Sequence, residues 1–299
     1  MLKAFLRFSV FILLCSTTVI MHAQDESYDW WNNKHNWDGV SPWSSYLIFS
    51  PAYFGPNALP VPEIRDAMSD TNISLESSFD LHFSKGDQTQ NLFLKLRYPF
   101  LEGMIAIEVF GVPIEHYALD TITRDERRAR GYDCRGTAFG DLYFSTLIQV
   151  LRDKGAWPDL MLGITLRTAS GDVLGDARFT DAPGYYFDLS AGKSFQLSPK
   201  FKVRPHVMMG FYVWQTNHDA WRQNDAFLYG AGVSVYSKKT EFSAKWGGYN
   251  GYIGNGDEPM VLRANAVYKL SKLHLKLAFQ QGLNDFNYTS VRIGSVFLF

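Results

Sequence analysis

Alternation of apolar and polar residues with a period of two constrains this chain more than any other feature of its sequence. In a β-strand, successive side chains point to opposite faces, so one parity is apolar and the other is polar or small. Phe79 and Leu81 share one face, for example, while Asp80 and His82 share the other. Twelve segments follow this pattern: residues 73–83, 91–98, 104–110, 141–150, 160–167, 185–192, 202–213, 227–235, 241–247, 262–269, 273–280 and 291–299.

The lengths of the connections distinguish a membrane barrel from a soluble sandwich. The connections run 85–88, 99–103, 113–140, 152–158, 169–184, 196–200, 215–225, 237–240, 248–259, 271–272 and 282–286, and short and long links alternate from 99–103 onward. Membrane barrels have brief periplasmic turns and longer outer loops, whereas a sandwich has no reason to sort its loops in this way. We therefore predict an all-β fold, a 12-stranded antiparallel transmembrane β-barrel over residues 72–299.

Composition excludes several other classes of protein. The chain is 46% hydrophobic and 16% aromatic, which excludes a disordered chain, and its mean hydropathy of −0.15 excludes a helical membrane protein. A net charge of −1 gives no reason to expect nucleic acid as a partner. The two cysteines, Cys15 and Cys134, cannot form a disulfide framework. No pattern indicates a cofactor or a metal site.

Residues 1–23 have the pattern of a secretory signal peptide. Lys3 and Arg7 precede an apolar stretch at residues 8–14, and the expected cleavage follows Met21-His22-Ala23, before Gln24. Two alternatives remain open, an N-terminal anchor helix and lipoprotein cleavage before Cys15. The export signal and the barrel together predict the outer membrane of a Gram-negative bacterium, reached through the periplasm.

Residues 24–71 lack sustained alternation and are rich in aromatic residues and proline. Four prolines fall within residues 51–62, which excludes a helix or a central strand there. We predict that this stretch is either a periplasmic segment or a plug in the bore of the barrel. The plug candidates are its large aromatic residues: Trp30, Trp31, Trp37, Trp43, Tyr53 and Phe54.

The polar parity of the strands carries long charged side chains at mid-strand, and bases outnumber acids there. These groups either pair into a filled polar core or form a constriction that favours anions. The predicted lumen-lining residues are Lys95, Arg97, Glu108, Arg167, Asp188, Lys202, Arg204, His206, Lys245, Arg263, Lys276 and Arg292.

The middle of the chain resembles a known family over residues 140–235. The resemblance lies in Gly140-Asp141-Leu142-Tyr143, Trp157-Pro158-Asp159-Leu160, Thr168-Ala169-Ser170-Gly171-Asp172 and Tyr186-Phe187-Asp188-Leu189. These motifs are similar to those of the outer-membrane barrels of the phenol-degradation (meta-pathway) protein type, which are related in architecture to hydrophobic-compound channels. The resemblance implies passage of small, including apolar, molecules, and it supplies no binding residues.

The expected function is a non-enzymatic one, a passive channel or uptake route for small solutes. One alternative is a structural or adhesion barrel that binds a partner through loop 113–137; another is a lipid hydrolase using His82, Ser84 and Asn91. Expected partners are outer-membrane lipid, an unidentified small solute, and the barrel assembly machinery through the C-terminal Phe299. Lipopolysaccharide phosphates are a further expected partner, facing a solvated set of loop bases: Arg124, Arg127, Arg128 and Arg130.

Overall fold

The computed structural model describes residues 28–299, so the predicted signal peptide lies outside the described residues. The chain divides into two units at residues 39 and 40. In the described part of the first unit, helix α1 (Asp29–His35) ends at Asn36, which adopts a left-handed conformation and donates its N–H to the carbonyl of Asn32. Among the described residues, no helix is long and apolar enough to cross a bilayer.

The second unit contains a closed antiparallel barrel of twelve strands, as predicted. Strand β1 pairs with the last strand, β14, which closes the ring. The twelve strands are β1 (Ser74–Ser84), β2 (Asp87–Phe100), β3 (Ile105–Leu119), β5 (Leu142–Leu151), β6 (Asp159–Arg167), β7 (Gly184–Gly192), β9 (Phe201–His218), β10 (Trp221–Tyr236), β11 (Thr240–Asn250), β12 (Met260–Leu270), β13 (Leu273–Asn284) and β14 (Thr289–Leu298). Two short strands add to this ring, β4 (Arg135–Ala138) beside β3 and β8 (Phe195–Ser198) beside β9.

The two parities of the strands meet different surroundings. Outward side chains such as Phe79, Phe187 and Leu277 are exposed, while inward neighbours such as Asp80 and Asp188 are buried. A closed ring pairs the backbone groups that would otherwise face hydrocarbon, so the outer surface needs only apolar side chains. The period-two signal in the sequence is the direct consequence of this division.

The connections define two ends of the barrel. At the short-turn end, strands are joined by residues 101–104, 152–158, 193–200, 237–239 and 271–272. At the long-loop end, residues 120–141 and 168–183 form large loops, and the first of these carries helix α2 (Thr121–Glu126). The Asp120 side chain caps α2 by accepting the N–H of Thr123.

The predicted sorting of loops by length is wrong in two places. The expected loop 215–225 is mostly strand, because β9 continues to His218 and β10 begins at Trp221. The turn between β1 and β2 consists of two residues, Lys85 and Gly86, although it lies at the long-loop end. Strands that extend past the lipid have no requirement for an apolar face, so the extended part of the β9–β10 hairpin shows no alternation in the sequence.

Residues 47–70, the inner segment, run through the interior of the barrel from the long-loop end to the short-turn end. Near the start, the Ala52 N–H donates to the carbonyl of Gly256 in the loop between β11 and β12. Near the end, the Ser69 N–H donates to Gln149 on β5, and Arg152 donates to the Ser69 carbonyl at 2.6 Å. The chain then turns into β1 at Ser74.

Candidate functional site

The backbone carbonyls of the inner segment are bound by donors from the barrel wall. Proline has no N–H, so a proline-rich chain presents more acceptors than donors and needs partners that donate. Arginine, with five N–H donors, is well suited to this task. These donors are Arg167 to Ala58 O (2.6 Å), Tyr249 to Leu59 O (2.7 Å), Arg263 to Val61 O (2.6 Å) and to Pro62 O (2.7 Å), Arg204 to Asp66 O (2.9 Å) and Gln149 to Ala67 O (3.0 Å).

One side of the interior, the packed wall, binds the inner segment through apolar contacts. Its members are Tyr186, Met208, Tyr212, Trp214, Leu228 and Tyr249, all buried. Leu59, Val61 and Ile64 of the inner segment belong to the same cluster. The rings of Tyr212 and Tyr249 meet edge to face with centroids 5.1 Å apart, a favourable geometry for aromatic pairs.

Glycines on the packed wall allow the inner segment to approach closely. Gly230 on β10 and Gly247 on β11 lie opposite each other, and a Cβ on Gly230 would overlap the side chain of Ile64. A Cβ on Gly163 would come within 2.6 Å of the Arg65 guanidinium. These inward glycines therefore form the surface on which residues 64–65 rest.

The opposite side of the interior, the charged wall, is lined by ionic groups. Its members are Glu76, Asp80, Lys95, Arg263, Lys276 and Arg292, on β1, β2, β12, β13 and β14. Lys276 donates to Glu76 at 2.6 Å, and Arg292 donates to both carboxylate oxygens of Asp80 at 2.8 and 2.6 Å. Much of the interior charge is therefore paired, which favours the polar-core alternative for these residues.

A cavity of about 390 Å³ lies between the inner segment and the charged wall. Its lining reaches from Phe179 and Phe286, near the long-loop end, to Arg97 and Met68, near the short-turn end. The Glu63 side chain projects into it from the inner segment and keeps 54% of its surface accessible. The inner segment thus fills one side of the bore and leaves the other side hollow.

A buried ionic network joins the loops of the long-loop end to the barrel. Arg178, from loop 168–183, is fully buried and donates to Glu115 and Asp87 at 2.8 Å each. Arg127, from the loop carrying α2, also donates to Asp87, at 2.7 Å, and the Tyr288 hydroxyl bonds the same carboxylate. Breaking such a buried network by removing one member costs about 3–5 kcal/mol, so the network holds these loops in one position.

Two of the loop bases do not form the solvated face that the sequence predicts. Arg127 is buried in the network just described, and Arg124 is buried and donates to the carbonyl of Tyr132 at 2.7 Å. The partner of Arg127 is a carboxylate on a distant strand, and the partner of Arg124 is a carbonyl that the folding of the loop brings near. A run of bases in the sequence reveals neither partner. Arg128 is exposed, and its guanidinium donates to the Tyr46 carbonyl at 3.2 Å.

The predicted lumen-lining residues differ in the partners that they contact. Arg167, Arg204 and Arg263 bind carbonyls of the inner segment. Asp188 forms an ion pair with Arg65. The three lysines Lys95, Lys245 and Lys276 form ion pairs with glutamates. Arg97 lies 3.9 Å from Glu108, and His206 is buried beside the Arg204 carbonyl. Lys202 is exposed at the short-turn end, where β8 pairs with β9.

The plug candidates are distributed over both units. Trp30, Trp31 and Trp37 belong to the first unit, where the Trp31 ring lies 5.2 Å from that of His35. In the second unit, Phe54 is buried with its ring 5.2 Å from that of Phe49, and Tyr53 is half-buried. Trp43 packs against the cluster at the long-loop end, with Arg130 above its ring at 5.2 Å. The residues that fill the bore itself are mainly aliphatic or charged and were not among the candidates.

His82 takes part in a hydrogen-bonded series that differs from the expected one. Its Nε2 contacts Asn91 Oδ1 at 2.8 Å, and its Nδ1 contacts the hydroxyl of Ser290, not of Ser84, at 2.7 Å. Ser290 is on β14, which becomes a neighbour of β1 through closure of the ring. Asn91 Nδ2 donates to Asp80 at 3.4 Å, which leaves Asn91 Oδ1 as the acceptor and assigns the His82 proton to Nε2.

Several interior residues were not singled out by sequence reasoning, which favoured charged groups. The buried tyrosines of the packed wall are absent from the predicted set, as are Glu63 and Arg65 of the inner segment. A signal was available in the strands, because Gly163, Gly192, Gly230 and Gly247 all fall on the inward parity. Inward glycines in a barrel mark places where another piece of chain lies against the wall.

Comparison with solved structures supports the fold. The COG4313 outer membrane channel from Pseudomonas putida F1 superposes with a TM-score of 0.51 at 14% identity, over 81% of this chain and 97% of that chain. LpxR from Salmonella typhimurium matches with a TM-score of 0.49 at 8% identity, over 76% of this chain and 100% of that chain. The KdgM porin matches with a TM-score of 0.43 at 8% identity, over 75% of this chain and 99% of that chain.

The similarity to the COG4313 channel defines the class of fold and nothing finer. The protein has the fold of an outer-membrane β-barrel. No family model matches the sequence, and no curated protein matches it. The resemblance to the phenol-degradation type stays a prediction.

Proposed function

We propose that the protein is an outer-membrane channel for small solutes, with the short-turn end facing the periplasm. The cavity of about 390 Å³ beside the inner segment carries this proposal, because its lining extends along the bore. Solutes pass on the charged side of the interior, while the packed wall holds the inner segment in place. Recognition of the exposed Phe299 by the assembly machinery, and contact of the long loops with lipopolysaccharide, belong to the same proposal.

Single-channel recording of the full chain in planar bilayers tests the channel. We expect small, stable current steps, because the inner segment leaves part of the bore open. Variants that loosen the inner segment should give larger steps without loss of the heat-modifiable gel mobility that marks a folded barrel. Absence of current from folded wild-type protein, and from the loosened variants, would reject the channel and favour a structural or adhesion barrel.

One observation favours a second candidate function, hydrolysis of an ester that enters the bore. With the His82 proton on Nε2, the Nδ1 lone pair accepts the Ser290 O–H proton while Ser290 Oγ bonds the acyl carbon. The alcohol leaves with that proton, and water then releases the acid and restores Ser290. Ser290 and His82 both line the cavity, so the substrate must come through the lumen, not from the lipid.

Labelling with a fluorophosphonate tests this second candidate. Wild-type protein in detergent should gain one covalent adduct at Ser290, and both Ser290→Ala and His82→Phe should abolish it. Ser145 is a matched control, since its buried inward hydroxyl bonds Thr165 at 2.7 Å instead of a histidine. No adduct on folded wild-type protein would reject hydrolysis and leave His82 as a satisfied interior side chain.

A further inference from the structure

Four cations that line the cavity lie near two interior carboxylates, Glu63 and Glu76. Lys95 and Lys245 lie 3.5 and 3.7 Å from the Glu63 carboxylate, and Lys95 also lies 3.8 Å from Glu76. Lys276 donates to Glu76 at 2.6 Å. The fourth cation, Arg263, donates to Gln280 and to the carbonyls of Val61 and Pro62, which directly precede Glu63.

Within the part of the chain that the structure describes, Arg263 has no carboxylate at ion-pair distance. The group as a whole therefore holds two more positive than negative charges. A carboxylate of a solute would be attracted to this surplus, particularly in a confined space where solvent screens charges less than in bulk water.

Glu63 differs from the other acids of the interior in both contacts and exposure. Its two ion pairs are long, and 54% of its side-chain surface is accessible, whereas Glu76 and Asp188 are 6% and 0% accessible. Arg263 fixes the backbone directly before Glu63 through the carbonyls of Val61 and Pro62, whereas the Glu63 carboxylate is free to exchange partners. It occupies the position that a solute carboxylate would take between Lys95 and Lys245.

An aromatic surface faces the same cavity next to these lysines. Phe93 and Lys95 share the inward parity of β2, and Phe93 lies 6.2 Å from Phe110, centroid to centroid. Phe110 stacks on Tyr143 with an interplanar angle of 7°. A cavity of about 390 Å³ is large enough for a molecule of benzoate size, with its ring on this surface.

We propose that this part of the cavity is a binding site for small carboxylates with an apolar body, and that Glu63 is a built-in competitor for it. The solute carboxylate binds Lys95 and Lys245 by taking them from Glu63, while the body of the solute packs on Phe93 and Phe110. The inference rests on the proposed function, because it names the solute class for the same bore.

Benzoate binding to the full chain in detergent micelles, measured by calorimetry, tests this site without requiring conductance. Glu63→Gln keeps the shape of the side chain and removes its charge, so we expect benzoate to bind about fivefold more tightly, as expected from release of two partly solvated ion pairs. Lys95→Met combined with Lys245→Met should abolish binding. Lys202→Met, which removes an exposed lysine that does not line the cavity, should leave benzoate binding unchanged.

Two probes separate the contributions of charge and body. Neutral benzamide should bind much more weakly than benzoate, and acetate should bind more weakly because it lacks the ring. Equal binding of benzamide and benzoate, or no gain in Glu63→Gln protein with normal gel mobility, would overturn the inference. Benzoate binding without any current would reject the channel and keep the site. Current without benzoate binding would reject the site and keep the channel.

Discussion

Inward-facing side chains pack against the inner segment on one side of the barrel interior and form ion pairs around a cavity on the other side. On the packed wall, tyrosines and glycines fit closely around Leu59, Val61 and Ile64, and little space remains. On the charged wall, ion pairs surround a cavity of about 390 Å³. Apolar packing is short-ranged and stabilises one position of the inner segment, whereas charges act across a solvated space. We infer that the packed wall determines stability and the charged wall determines which solutes enter.

The largest expected effect is on the packed wall. Tyr249→Ala removes a fully buried ring and its hydrogen bond to the Leu59 carbonyl, so we expect the free energy of unfolding to fall by about 3–5 kcal/mol. Denaturant unfolding in detergent micelles measures it. Tyr249→Phe keeps the ring and should cost only about 1 kcal/mol. An unchanged unfolding midpoint for Tyr249→Ala would show that the packed wall does not determine stability.

The second prediction separates the inner segment from the barrel. In Gly230→Ala, the new methyl group overlaps Ile64, and we expect a cost of about 1–3 kcal/mol and displacement of the inner segment from a barrel that stays folded. Protease treatment followed by mass spectrometry should then find new cleavage sites within residues 47–70. Adding Ile64→Ala makes room for the methyl group and should restore protection. Cleavage that persists in the double variant would show that the clash lies elsewhere.

The barrel was predictable from the sequence because lipid and a polar interior act on every strand at once. All twelve strands give a period-two signal, and the register of β1 against β14 closes the ring as the even count requires. The outer ends of β9 and β10, residues 215–218 and 221–225, were predicted as a loop, because polar residues occupy both parities there. Periodicity is informative only where the surroundings of a strand differ between its two faces.

The partners of the interior residues were much less predictable. Arg167, Arg204 and Arg263 were expected in the lumen, but their acceptors are main-chain carbonyls, which leave no trace in residue types. Ser290 replaces Ser84 beside His82 because ring closure brings residues 208 positions apart into contact. Such contacts depend on the path of the inner segment and on the closure of the barrel, and neither is local in sequence.

The third prediction moves to the charged wall, where smaller effects on stability are expected. Lys276→Met leaves Glu76, which is 6% accessible, with Lys95 at 3.8 Å as its remaining cation. We expect the free energy of unfolding to fall by about 2 kcal/mol, less than for Tyr249→Ala, because Lys95 still offers the Glu76 carboxylate a cation at ion-pair distance. Denaturant unfolding measures the change, and Lys276→Arg should recover most of it. A loss as large as that of Tyr249→Ala would remove the distinction between the two walls.

The smallest effect on stability is expected for Lys245, whose ion pair with the half-accessible Glu63 spans 3.7 Å. Lys245→Met should change the free energy of unfolding by less than about 1 kcal/mol, since long solvated pairs contribute little. It removes a cation from the solute path, so we expect the ratio of chloride to potassium permeability to fall by roughly half. Reversal potentials in asymmetric potassium chloride measure that ratio, with Lys202→Met as the control that keeps it. A changed unfolding midpoint with an unchanged ratio would assign Lys245 to structure and would contradict selection of solutes by the charges of the cavity.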